Sequence, residues 1–506
     1  MQKDPLKLKT IGELRAAGYR VLPVKEEIRQ NLIRKLKAGE EVFPGIIGYE
    51  HTVIPEIYNA ILSRHDFILL GLRGQAKSRI IRMLPNLLDE YIPIIKGCEI
   101  NDNPFRPVCK ACHDKVAEYG DDVEIEWIGR DARYGEKLAT PDVTIADLIG
   151  DIDPIKAAVH RLHYAHEGVI HFGIIPRTNR GIFAINELPD LQPRIQVGLF
   201  NLMQEKDIQI RGFPVRIPID VLMVYSANPE DYTNRGNIIT PLKDRIGSQI
   251  LTHYPRDIQS GMKITAQEAW VERDSLPVRI LPILREVIEQ TAVEARQSEF
   301  VDQKSGVSAR MTISLLENVV SNAERRAYLC NESEIVPRIC DLYASLSAIT
   351  GKIELVYEGE QEGLVNVAKG LLGKAIKTIF LNYFPEPFAA IKKGQNPYQK
   401  ITDYFKGDRK LELSDTLGDE PYRKRLQQVP GLAEVTHRYI PGMEEQPPSL
   451  LAVGMEFVLE GLHQNSMLSK DEIDHVRIYG DMIQRMFDGL HQDDDDDDFE
   501  DFNRWA

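Results

Sequence analysis

The feature that most constrains the fold is Phe67-Ile68-Leu69-Leu70 running directly into Gly71-Leu72-Arg73-Gly74-Gln75-Ala76-Lys77-Ser78. Four consecutive apolar residues suit a strand covered on both faces, as in a parallel sheet. The glycine-spaced turn after it opens a helical pattern from Arg79 to Asp89. A strand, such a turn and a helix start together make an anion cradle. Backbone N–H groups and the helix N-terminus face the phosphates, Lys77 reaches the β and γ oxygens, and the Ser78 hydroxyl meets Mg²⁺. Gly71, Gly74, Gln75 and Ala76 line the turn. The usual pattern has glycine where this chain has Ala76, so the strict motif fails by one methyl group. The competing reading is an ordinary strand–turn–helix with an exposed lysine, and the motif alone does not exclude it.

Later segments weigh against that reading. Gly181-Ile182-Phe183-Ala184-Ile185-Asn186-Glu187 is an apolar strand that ends in a polar pair. At such a position an acid supports the Mg²⁺ shell and the following Glu polarises the attacking water. Glu187 is that second acid, while Asn186 offers the metal side hydrogen bonds but no charge. Hydrolysis is therefore expected, and expected to be slow. Val221–Tyr225 leads into Ser226-Ala227-Asn228-Pro229-Glu230, where Asn228 stands at a strand end that could meet the γ-phosphate. Arg245 follows in Pro241-Leu242-Lys243-Asp244-Arg245-Ile246-Gly247, and Arg310 opens a helix after Gly306-Val307-Ser308-Ala309.

At 506 residues the chain suggests two to four domains. Short apolar runs at 123–127, 181–185, 221–225 and 249–252 alternate with helical patterns, as in a doubly wound α/β sheet. Asp207–Asp220 alternates around a glycine and predicts a hairpin. Lys25–Leu36, Ile280–Glu294 and Met311–Leu329 predict amphipathic helices, and Val53, Ile57 and Ile61 share one helical face. The spacing gives an N-terminal helical segment over 1–39, an α/β domain over 40–262 with an insertion near 92–135, and a helical lid over 263–350. A helical extension over 351–490 and an acidic tail over 491–506 complete it. The expected fold class is α/β with a five-stranded parallel sheet and hairpin insertions, followed by the all-α lid and helical extension.

The ordered set GLRGQAKS, GIFAINE, SANPEDY, PLKDRIG and GVSARM resembles AAA+ ATPases, and the match covers roughly residues 40–350. The Ala-containing loop resembles the MoxR branch. The stretches GDID…FGIIPRTNRGIFAINELPDL and SANPEDY…PLKDRIG resemble ATPase subunits of magnesium chelatase. The resemblance implies an ATP- and Mg²⁺-dependent hydrolase acting as a chaperone-like homo-oligomeric ring, commonly a hexamer. Lys77 and Ser78 would bind nucleotide and metal with Asn186 on the metal side, and Glu187 would position water. Asn228 would be sensor 1, Arg245 a finger into the neighbouring subunit, and Arg310 sensor 2. The family also suggests a client with a von Willebrand factor A domain. Two other readings stay open: a nucleotide-gated scaffold that scarcely hydrolyses, with Asn186 as its warrant, and a subunit of a metal chelatase. A sigma-54-type activator is disfavoured because no GAFTGA-like loop or DNA-binding helix pair is found.

The net charge is −15, of which residues 493–506 contribute −7. Neither the tail nor the rest has the basic stripe of a nucleic-acid binder. No apolar run reaches the ~20 residues of a membrane span, and no signal peptide opens the chain, so a cytoplasmic location is expected. The acidic tail predicts a solubilising, disordered end, with a docking peptide as the alternative. Five cysteines do not suggest a disulfide framework. Cys109-Lys110-Ala111-Cys112-His113 fits a haem-attachment pattern, which the lack of an export signal sets aside. Cys98, Cys109 and Cys112 together could hold zinc, but His113 adjoins Cys112 and no fourth ligand is evident, so reduced structural cysteines are the better expectation. His160, His163, His166 and His171 crowd one stretch. A polar helix accounts for them better than a metal site does; the resemblance implies an insertion facing the ring's pore or axial surface, a candidate for gripping substrate.

Overall fold

The computed structural model describes residues 5–160, 167–210, 216–229, 237–274, 276–392, 394, 396–407, 409–473 and 476–482. The chain forms two compact units, Met1–Tyr254 and Pro255–Ala506.

In the first unit the strands run β1 (Phe67–Leu70), β2 (Tyr91–Ile95), β3 (Ile125–Gly129), β4 (Tyr134–Leu138), β5 (Gly150–Ile152), β6 (Ile170–Phe172), β7 (Gly181–Asn186), β8 (Asp207–Gln209), β9 (Arg216–Pro218), β10 (Val221–Ala227) and β11 (Ser248–Leu251). Five of them form one parallel sheet in the order β11-β1-β10-β7-β4. The remaining six pair antiparallel as three insertions: β2 with β3, β5 with β6, and β8 with β9. β1, β7 and β10 are buried at every residue, because side chains alternate faces and both faces are covered. Phe67, Leu69, Ile182, Ala184, Leu222 and Val224 enter one core. Ile68, Leu70, Phe183, Ile185, Met223 and Tyr225 enter the other.

The helix Val24–Ala38 belongs to this unit, with Val24, Ile28 and Leu32 buried beside the helix Val53–Leu62. An ion pair fixes it there. Arg133, fully buried, donates to both Glu27 oxygens at 2.8 and 2.6 Å and to the Arg180 carbonyl at 2.8 Å. Removing one partner of such a pair leaves an uncompensated buried charge.

Two sequence expectations change. The apolar run at 123–127 predicted a strand of the main sheet, but β3 pairs with β2 outside it. The fifth sheet strand is instead β4, Tyr-Gly-Glu-Lys-Leu, whose edge position leaves four of its five residues partly or fully exposed. An edge strand has only one covered flank, so it need not be apolar. The helix after the loop Gly71–Ala76 runs Lys77–Met83 and passes into a 3₁₀ turn at Leu84–Leu87, where Pro85 removes a backbone donor.

In the second unit, helices Ile258–Glu268, Pro282–Gln297, Arg310–Cys330, Leu364–Tyr383 and Pro448–Gln464 share one core that extends from Leu281 to Tyr479. The extension is not wholly helical. β12 (Leu411–Ser414), β13 (Ser469–Ile473) and β14 (Val476–Gly480) form an antiparallel sheet in the order β12-β14-β13. Glu460, with no exposed surface, accepts from Lys470 at 2.7 and 3.0 Å, Tyr343 at 2.7 Å, Tyr479 at 2.8 Å and Gln464 at 2.9 Å. Burial alone would raise its pKa, but the charges of Lys470 and His463 and these bonds hold it down to about 2. Among the described residues, no helix is long and apolar enough to cross a membrane.

Candidate active site

The sheet order places β10 between β1 and β7, so the C-terminal ends of these three strands lie side by side, where open α/β sheets bind ligands. Gly71 to Ala76 turn the chain from β1 into the helix Lys77–Met83. A Cβ at Gly71 would stand 1.9 Å from Thr252 Oγ1 and 2.1 Å from Gln75 Oε1, so no larger residue fits. Those two atoms bond each other at 2.6 Å, which ties the loop to the end of β11. Tyr49 and Tyr254 donate to the carbonyls of Gln75 and Arg73, both at 3.1 Å. Ala76 has φ +55°, ψ +12°, left-handed backbone that explains why glycine is usual there. Its methyl packs at the edge of the sheet core, which offsets part of the roughly 1–2 kcal/mol such a conformation costs.

Lys77 is buried at the start of the helix. Its Nζ donates to the carbonyls of Gly71 and Leu72, the latter at 3.0 Å, and to Asn228 Oδ1 at 2.8 Å. Asn228 Nδ2 in turn donates to Glu187 Oε2 at 3.2 Å. Side chains from the start of the helix after β1 and from the ends of β10 and β7 thus join a single hydrogen-bonded chain. Glu187 itself has φ +54°, ψ +49° as the chain leaves β7. A non-glycine residue held there stores strain of a kind that collects at functional sites. Ser78, next to Lys77, is exposed.

Asn186 is buried with its amide committed at both ends. Its Oδ1 accepts from Ser226 Oγ at 2.9 Å and its Nδ2 donates to Glu136 Oε1 at 2.5 Å. Glu136 lies on β4 and carries no local signature, because parallel pairing of β4 with β7 brings it in from 50 residues away. It accepts from Arg82 at 2.9 and 3.0 Å and from Tyr134 at 3.0 Å. Burial pushes its pKa up, yet these donors outweigh burial and hold the carboxyl below its ordinary value. A carboxylate therefore stands beside Asn186 on a different strand, with its charge already paired to Arg82. Ser226 was also missed as a site residue, although it sits two residues before Asn228.

Arg245 ends the helix Thr240–Arg245 and does not join the Lys77–Asn228–Glu187 chain. Its guanidinium lies 4.5 Å from the Phe200 ring centroid and donates to the Pro241 carbonyl at 2.6 Å and to Gln204 at 3.0 and 3.3 Å. Arg310 opens the helix Arg310–Cys330 in the second unit, with an exposed side chain. Of the histidine group, His171 is exposed on β6. His163 and His166, the side chain of His160, and the acidic tail lie outside the described residues.

No protein-family model and no curated protein sequence matches the chain. Among solved structures it is similar to the magnesium chelatase BchI–BchD complex, at 19% identity over 67% of this chain and 98% of that one, TM-score 0.31. It is similar to Brucella abortus NtrX in complex with ATP, at 13% identity over 76% and 70%, TM-score 0.37. A variant of Thermotoga maritima RuvB gives 10% identity over 73% and 81%, TM-score 0.32. Likenesses this distant do not identify a function, and the strand order and strand-end chemistry of the chain stand apart from them. By that order, with a glycine-spaced loop after β1 and polar residues at the ends of β7 and β10, the first unit is an α/β domain built on a five-stranded parallel sheet.

Proposed function

We propose that the chain is a Mg²⁺-dependent ATPase that assembles into a homo-oligomeric ring and uses nucleotide turnover to remodel a partner protein. The observation that carries this reading is the hydrogen-bonded chain from Lys77 through Asn228 to Glu187 across neighbouring strand ends. Lys77 and the N–H groups of the loop would hold the phosphates. The Ser78 hydroxyl would be the Mg²⁺ ligand, with Asn186 on the metal side exchanging its bond from Ser226 for one from a metal-bound water. Mg²⁺, when bound with ATP, neutralises charge on the phosphate oxygens. Glu187 would orient a water and take its proton, and Asn228 would fix that carboxylate.

Arg245, held at the surface by Phe200 and Gln204, suits a finger offered to the neighbouring subunit, a contribution of about 10³–10⁵ in rate. Arg310, as the resemblance implies, is proposed as sensor 2. A ring, commonly a hexamer, follows from the finger. The client is a protein, with a von Willebrand factor A domain as the first candidate. The β5–β6 insertion would grip it, so deleting residues 167–176 should abolish remodelling while leaving basal turnover. Retained remodelling would remove that role.

A second reading is a nucleotide-gated scaffold, favoured by the neutral Asn186 with both ends of its amide occupied. Steady-state phosphate release separates the two. The ATPase reading expects Mg²⁺-dependent release whose rate per subunit rises with protein concentration and collapses in Glu187→Gln. Wild type releasing no more phosphate than Glu187→Gln, with or without a partner, would leave only the scaffold.

A further inference from the structure

The loop from β2 to the helix Lys110–Tyr119 gathers three cysteines and an aspartate that the nucleotide site does not use. One ligand atom each of Cys98, Asp102, Cys109 and Cys112 lies within 4.8 Å of every other, and among the described residues this is the one such group. A zinc tetrahedron with ~2.3 Å bonds to sulfur has edges of about 3.8 Å, so side-chain adjustment of an ångström or less closes it. Asp102 is the ligand the sequence did not reveal. It is fully buried; its Oδ2 accepts from the N–H groups of Val108 and Cys109 at 3.1 and 3.0 Å, while its Oδ1 has no hydrogen-bond partner. A buried carboxylate oxygen without a donor is costly unless something else binds it.

We propose that Cys98, Asp102, Cys109 and Cys112 form a structural zinc site, three thiolates and one carboxylate. Two of the three sulfurs already accept backbone N–H bonds, as a metal-bound thiolate does. Cys98 Sγ accepts from the N–H groups of Ile100 and Asp102, and Cys109 Sγ from that of Cys112, each at 3.4 Å. Four protein ligands leave no open position, which makes the site structural and not catalytic. A cleft lined by Cys98, Cys109, Cys112, Lys115 and Glu167 gives the metal a way in. Binding releases the three thiol protons to solvent and leaves a complex of net charge −2.

The purpose is legible in the local architecture. Between β2 and the helix lie 14 residues, 96–109, with no helix or strand of their own. Zinc would fasten the end of β2 to the start of that helix. Asn101 donates to the Arg177 carbonyl at 2.9 Å, and Arg180 to those of Pro93, Asn101 and Asp102 at 2.8, 3.4 and 3.4 Å. Because Arg180 immediately precedes β7, the same clip braces the strand that carries Asn186 and Glu187.

The test uses the reduced full-length chain. Elemental analysis should find one zinc per chain that survives dialysis. Zinc added to stripped protein at pH 7 should release close to three protons, and Co²⁺ in its place should give the near-ultraviolet thiolate charge-transfer and visible bands of a tetrahedral site. Cys98→Ser, Cys112→Ser and Asp102→Asn should each weaken zinc binding by more than the ~100-fold that losing an outer-shell partner costs. A folded, reduced wild type that binds no zinc overturns the proposal, as does zinc whose amount and proton release are unchanged in the cysteine variants. Should those variants fail to fold, the wild-type zinc content and the Co²⁺ spectrum decide. None of these readouts depends on ATP turnover.

Discussion

Glu460 and Glu187 both belong to networks containing a lysine, and the two networks are built differently. Around Glu460 in the second unit, Lys470, Tyr343, Tyr479 and Gln464 all point at one sealed carboxylate, and both its oxygens are satisfied. Glu187 in the first unit is only half-buried, sits on left-handed backbone, and reaches Lys77 through Asn228. A closed, fully satisfied cluster has nothing left to offer a ligand, and what it contributes is a defined core. A partly open chain at strand ends, holding strain, can exchange its bonds for a substrate's. The same chemical ingredients therefore serve structure in one unit and, under the proposed ATPase function, catalysis in the other.

Variants can break this contrast. Lys470→Ala strands the Glu460 charge and should lower stability by about 3–5 kcal/mol, read as a shift of the urea midpoint, with nucleotide affinity of the surviving folded protein unchanged. Lys77→Ala should do the reverse. Nucleotide binding should weaken by about 2–5 kcal/mol in a fluorescent-analogue titration, the range for truncating one side of a buried charge pair, while the urea midpoint moves little. Equal effects of the two variants on both readouts would erase the distinction.

Acid gives a smaller and graded test. The folded-state pKa of Glu460 lies below its unfolded value of 4.5, at about 2. Its contribution is therefore complete above pH 4.5 and is lost as the pH falls from there through about 2. Urea midpoints measured across that window should fall in wild type and fall less steeply in Glu460→Gln. The smallest effect belongs to Ala76→Gly. Relief of the left-handed alanine is offset by glycine's freedom in the unfolded chain, so stability should change by no more than about 1 kcal/mol, with nucleotide affinity kept.

What the sequence disclosed follows the range of the interactions involved. The strand, turn and helix from Phe67 to Met83 are written in consecutive residues, and each part has a local signature. The strand-end positions of Glu187 and Asn228 were legible for the same reason, since both follow apolar runs. Glu136 and Asp102 were not, because each acquires its meaning from segments distant in the chain: β4 beside β7, and a loop acid folded onto two cysteines. β4 escaped notice as a polar edge strand, and β3 was misplaced because an apolar run does not say which sheet it joins. The small sheet β12–β14 mixes charged residues into short strands, which left no period to read.

In the proposed ATPase, the strand-end site of the first unit hydrolyses ATP and is completed by a neighbouring copy. Phosphate release from a mixture of Glu187→Gln and Arg245→Ala chains tests it most directly, since each variant alone should be nearly inactive. In a mixed ring, the intact Glu187 of one chain meets the intact Arg245 of the next. An equimolar mixture should therefore recover about a quarter of wild-type turnover, the share of such interfaces under random assembly. A mixture no faster than its two components measured apart would contradict the claim.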